Sequence, residues 1–151
     1  MSEPEASEQQ RLARNLNELL QELRIAQTGV QVLFGFLLSV AFTDRYARAD
    51  AFVHVVHVIT VMFAAIAVCF LITPAAWHRI LFRHGRRESI VTNASTFAVI
   101  GLASLAAATT GTVLLIGYVV FGKLTGVVLG IGMGALFGSL WFTIPMSLRR
   151  R

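Results

Sequence analysis

Residues 15–31 read NLNELLQELRIAQTGVQ, the most densely polar-patterned stretch of the chain, and run straight into a long apolar segment. On a helix turning about 100° per residue, Asn17, Gln21, Arg24, Thr28, Gln31 and Gly35 share one narrow stripe. Leu16, Leu19, Leu20, Leu23, Ala26 and Val30 take the opposite side. One helix therefore carries an amphipathic face and enters a bilayer with polar side chains still on it.

The composition agrees. The chain of 151 residues is 56% hydrophobic and only 14% charged, with a mean hydropathy of +0.69, against roughly 25% charged in an ordinary soluble domain. The net charge of +5 would suit nucleic acid in a soluble protein. Here the basic residues flank apolar runs, which points to anionic lipid headgroups and away from nucleic acid. Arg79, Arg83, Arg86, Arg87, Arg149, Arg150 and Arg151 are the candidates for headgroup contact. Cys69 is the one cysteine, so no intrachain disulfide is possible, and inside an apolar run it reads as a small buried hydrophobe. The acidic, polar start shows no cleavable signal peptide.

Taken in order, residues 1–10 predict a disordered tail and residues 11–24 an amphipathic arm. Residues 25–147 predict a transmembrane domain with spans at about 25–43, 51–73, 90–121 and 124–144, each long enough for a core of roughly 30 Å. Residues 148–151 form a basic tail. Asp50 suits an N-cap for the second span. Pro74 kinks that span or marks its exit, Gly85 stops a helix, and Gly122-Lys123 predicts a tight turn. The fold class expected is all-α membrane protein, four transmembrane helices with an amphipathic cytoplasmic extension on the first.

Arginines concentrate in the arm (Arg11, Arg14, Arg24), in the connection after the second span and in the tail. The other two connections hold Arg45, Arg48 and Lys123. Positive-inside bias places both termini in the cytoplasm of a cell with an inner membrane. Trp77 and Trp141 then sit at the inner interface.

The run NLNELLQELRIAQTGVQVLFGFLL, the Arg-Tyr of the following connection and the element TPAAWHRILFRHGRR resemble a domain-of-unknown-function family of small bacterial four-helix integral membrane proteins. The resemblance covers about residues 15–121 and implies the architecture; it supplies no catalytic residue. Some similar sequences carry the label sodium:proton antiporter, a chemistry that uses paired intramembrane acids. After Asp50 the only acidic residue is Glu88, in the basic connection.

Three constellations could carry function. Gln21, Arg24, Gln27, Thr28 and Gln31, with Asn93 at matching depth, could line a polar path for an ion or small solute. Alternatively they form an interhelical seam, bonded to Thr92, Asn93 and Thr96, which is the preferred reading because an unpaired amide in hydrocarbon is costly. Glu18 and Glu22 could pair with Arg79, Arg83 or Arg86. Asp50, His54 and His57, spaced four and three, share a helical face and could hold a proton or a divalent metal. The plainer reading is a cap and two interfacial histidines. Gly126, Gly130, Gly134 and Gly138 recur every four residues and mark close helix packing, either within a hairpin onto Ala103, Ala107, Ala108 and Gly111 or between copies.

No phosphate-binding loop, GxSxG, HExxH or cysteine pair occurs. The expectation is a non-enzymatic membrane module without a cofactor that assembles with itself or a membrane partner. An ion- or proton-permeable channel or small transporter, its path along helices one and two, is the alternative.

Overall fold

The computed structural model describes residues 3–81 and 87–149 and is all-α: those residues contain no strand. The helices are α1 (Glu3–Val40), α2 (Asp44–Ala47), α3 (Ala51–Leu81), α4 (Arg87–Phe121), α5 (Lys123–Phe137) and α6 (Ile144–Arg149), with a π turn over Gly138–Thr143 joining the last two. Among the described residues, four stretches are long and apolar enough to cross a membrane: Leu20–Val40, Ala51–Trp77, Ala94–Phe121 and Lys123–Ser147. The protein is a multi-pass membrane protein.

Several boundaries differ from expectation, each for a local reason. The predicted disordered tail at residues 1–10 is helical from Glu3. A lack of apolar residues argues against a packed core but not against a helix. Ala, Glu and Gln are strong helix formers, Pro4 falls in the first turn where its missing N–H costs nothing, and Glu3 and Glu5 suit the positive end of the helix dipole. The first span ends at Val40 and not at residue 43. Ala41, Phe42 and Thr43 form tight turns onto the carbonyls of Leu38, Ser39 and Val40, and the Thr43 hydroxyl then caps α2 by accepting from the Tyr46 amide at 3.2 Å.

Pro74 neither ends α3 nor stops it at residue 73: the helix runs on to Leu81. Pro145 acts on the last span. It cannot donate to the Trp141 carbonyl and its ring crowds that turn, and the chain widens there into the π turn, in which the Ile144 amide reaches back to the Ser139 carbonyl. Gly122, at φ 93°, supplies the left-handed residue that turns α4 into α5. Gly85 lies outside the described residues.

The chain divides into two compact units, Met1–Val32 with Ala65–Ala103, and Leu33–Ala64 with Ser104–Arg151. In the first, Leu23, Val30, Ala67, Leu71, Ala94 and Ala98 are buried, and Phe97 meets Trp77 edge-on at a centroid distance of 4.9 Å. Cys69, expected to be buried, is exposed: an apolar residue of a span is as well placed against lipid as against a helix. In the second, Leu37, Val53, Ala64, Ala106, Ala108 and Leu115 are buried together with the polar His57, Thr60, Ser104 and Thr112.

Candidate functional site

In the first unit the seam of α1 does not act as expected. Its apolar side supplies the buried Leu23 and Val30, so the opposite stripe must face outward: Gln21, Arg24, Thr28 and Gln31 are all exposed. The Thr28 hydroxyl donates to the Arg24 carbonyl of its own helix at 3.1 Å, and Thr96 is also exposed. The stripe therefore neither converges on a path nor bonds a neighbouring helix among the described residues. Asn93 is a residue of α4 whose side chain lies outside those described.

Gln27 is the exception. Helical arithmetic sets it off the stripe, between Leu20 and Leu23, a position that its polar character obscured. Its Nε2 donates to the Leu71 carbonyl of α3 at 2.7 Å. Pro74, itself buried, lacks the amide that would bond the Phe70 carbonyl four residues back; the carbonyl Gln27 reaches is the next one along, that of Leu71. The bond ties α1 to α3 and satisfies a polar side chain on a backbone acceptor at its own depth.

Glu18 pairs with Arg14 of its own helix at 2.9 Å, and Glu22 and Arg79 are exposed. The expected pairing with Arg79 is replaced by this local i,i+4 contact. Arg83, Arg86, Arg150 and Arg151 lie outside the described residues; Arg87 and Arg149 are helical, with side chains outside those described.

The second unit gathers the polar residues of the Asp44–Asp50 connection. One Asp50 carboxylate oxygen caps α3 by accepting from the Val53 amide at 2.9 Å. The other accepts from the Tyr118 hydroxyl at 2.6 Å. The Tyr118 bond, then the Val53 amide, then the Phe52 amide and the nearby His54 hold the Asp50 carboxyl below its ordinary value of 3.8. His54 turns Nδ1 onto the Asp50 backbone carbonyl at 2.9 Å. His57, buried, has Nε2 at 2.9 Å from the Leu37 carbonyl and Nδ1 at 3.1 Å from the Tyr46 hydroxyl. A carbonyl only accepts, so Nε2 donates to Leu37, while Nδ1 and the Tyr46 hydroxyl, which can donate or accept, share the second bond.

The three candidates for a proton or metal site thus share a helical face but do not converge. Their nitrogens and oxygens point at different partners, and among the described residues no group of three His, Cys, Asp or Glu side chains is placed to hold a metal ion. Sequence reasoning missed Tyr46 and Tyr118, which come from α2 and α4 to meet His57 and Asp50. The signal available was that both are the only tyrosines of the chain, each close to one end of a span.

Two cavities adjoin this cluster. One of about 410 Å³ is lined by Thr43, Arg45, Arg48, Asp50 and Tyr118 among others; the Arg45 guanidinium there donates to the Val119 carbonyl at 3.1 Å. The other, about 170 Å³ and apolar, is lined by Leu37, Tyr46, His57, Thr112 and Leu115 among others. Tyr46 borders both.

The glycine ladder divides. A methyl group on Gly126 would lie 2.5 Å from the Tyr118 amide nitrogen, and one on Gly130 would lie 3.0 Å from Leu114 Cβ. These two bring α5 against α4, on Leu114, Gly117 and Tyr118. The expected partners Ala103, Ala107, Ala108 and Gly111 lie further down α4, and Gly111 instead meets Thr60 of α3. A methyl on Gly134 would make only an ordinary contact, 3.6 Å from Thr110 Cγ2, and one on Gly138 would meet nothing within 4 Å.

Neither a curated protein nor a solved structure matches the chain. One family model does, over residues 5–145, which takes in the arm, the four spans and both clusters. The chain belongs to DUF6328, a family of unknown function.

Proposed function

We propose that this protein is a non-enzymatic assembly module of the bacterial inner membrane, with both termini in the cytoplasm, that associates through its helices. The arginines of the arm, of the connection after α3 and of the tail would rest against anionic headgroups. The observation that carries this reading is where the inward-facing intramembrane polar groups end. Gln27 and His57 close on carbonyls of neighbouring helices, Thr60 and Thr112 on their own helices, and among the described residues no buried side-chain nitrogen or oxygen lacks a partner. Polar groups that handle a solute keep bonding capacity open toward it. Gln27 and His57 are engaged in holding helices together.

The alternative, a proton- or ion-permeable path, draws on the nearness of Tyr46, His57, Asp50 and Tyr118 to the two cavities. Proteoliposome flux together with the mass of the protein in lipid nanodiscs separates the two. Flux at the level of empty liposomes for protons and common cations, with a particle of two or more chains, is expected. A proton or cation flux abolished in His57→Ala would replace the assembly reading with the permeation reading.

A further inference from the structure

We infer that a second copy of this chain docks on the exposed stripe of α1, with the Gln31 side chains of the two copies facing each other near the middle of the bilayer. The inference rests on the assembly reading and names its surface. Gln31 lies about 16 Å beyond Leu20 at 1.5 Å per residue, in a span of Leu20–Val40; the hydrocarbon core is about 30 Å thick. Gln31 is exposed and makes no side-chain hydrogen bond to a described residue. A carboxamide at that depth facing lipid leaves two donors and an acceptor unsatisfied where no water can reach them.

Its neighbours define a docking seam. Gln21, Arg24, Thr28 and Gln31 are all exposed, fall within an arc of about 80° and are spaced three, four and three, the alternation that keeps one side of a helix against a partner in a left-handed pair. In sequence the same spacing continues to Gly35. Thr28 has already satisfied its hydroxyl on its own backbone and presents a small surface. Arg24, near the start of the span, is long enough to carry its guanidinium to interfacial water.

The occupant follows from self-complementarity. A two-fold axis along the bilayer normal sets like residues opposite one another, and a glutamine amide both donates and accepts, so Gln31 satisfies Gln31. A lipid tail offers nothing in return, and an apolar partner helix would leave the same amide unpaired.

Single cysteines in a Cys69→Ala background, reconstituted in liposomes and oxidised, test the surface. Thr28→Cys and Gln31→Cys should cross-link at least about tenfold faster than Gly29→Cys, which is also exposed but points about 100° away from Thr28. Gln31→Leu should raise the dimer dissociation constant by about tenfold in nanodisc dilution, with helicity and melting temperature unchanged, and Gln31→Asn should retain association. Cross-linking that is no faster at Thr28 and Gln31 than at Gly29, in a protein that is still dimeric by mass, overturns the inference and leaves the assembly reading standing. A wild-type particle of one chain at every dilution overturns both.

Discussion

Gln27 and Gln31 are the same residue type four positions apart on one membrane helix, and they meet opposite surroundings. Gln27 lies between leucines, turns inward and closes on the Leu71 carbonyl. Gln31 lies on the stripe and turns outward. A second contrast runs between the two units. The first handles its intramembrane polarity with one amide placed on a backbone carbonyl of the neighbouring helix. The second uses Tyr46, His57, Asp50 and Tyr118, with glycine-mediated contact between α4 and α5 beside them. A polar group in a span is stable wherever a backbone acceptor or a complementary side chain lies at its depth, so the demand can be met within a chain or by another copy.

The glycine contact of the second unit should be the least tolerant feature. Gly126→Leu has no room against the Tyr118 backbone and should cost about 3 kcal/mol or more, read as a lowered melting temperature by circular dichroism in detergent. Gly138→Leu, with open space around it, should leave the melt within about 0.5 kcal/mol of wild type. An equal loss at both positions would remove the distinction between the packed and the open end of the ladder.

His57→Leu comes next. It leaves the Leu37 carbonyl and the Tyr46 hydroxyl without their shared partner inside a buried site and should cost about 2–3 kcal/mol. Tyr46→Phe, which removes only one of the two contacts, should cost about 1 kcal/mol. If the two variants are equally destabilised, the Leu37 contact carries nothing.

For the first unit, Gln27→Leu should cost about 1–2 kcal/mol, against no loss of fold stability for Gln31→Leu. Equal melting temperatures for the two variants in detergent would mean that the Leu71 contact carries nothing.

The smallest effect concerns Asp50. Its carboxyl titrates below 3.8 in the folded protein because Tyr118 and then the Val53 amide bond the charged form. A depressed folded value contributes stability above the ordinary value that is lost as pH falls below 3.8 through the lowered one. Melting temperature should therefore decline over that acidic range, and the decline should be shallower in Asp50→Asn. An identical profile in the two proteins would show that the exposed Asp50–Tyr118 contact does not couple to folding.

Much was legible from residues alone. Asp50 caps α3 as its position beside an apolar run implies, and Gly122 turns the chain where two apolar runs abut. Gln27 could have been separated from the stripe by its helical angle, since three leucines surround that angle. The roles of Tyr46 and Tyr118 were not legible. Each lies far along the chain from, or outside the helix of, the group it bonds, and nothing in local spacing pairs residues 118 and 50.

The all-helical class and the membrane setting follow from sequence by itself, because backbone polar groups in hydrocarbon must bond within a segment and a long uncharged run leaves the helix as the solution. Which side of α1 faces inward, how far α5 follows α4 and which carbonyl receives Gln27 were decided only by tertiary structure. In a bilayer an apolar face is as well solvated by lipid as by another helix, so hydrophobic pattern alone does not choose between them. Close packing at the few places where side chains are small, and hydrogen bonds at matched depth, make that choice.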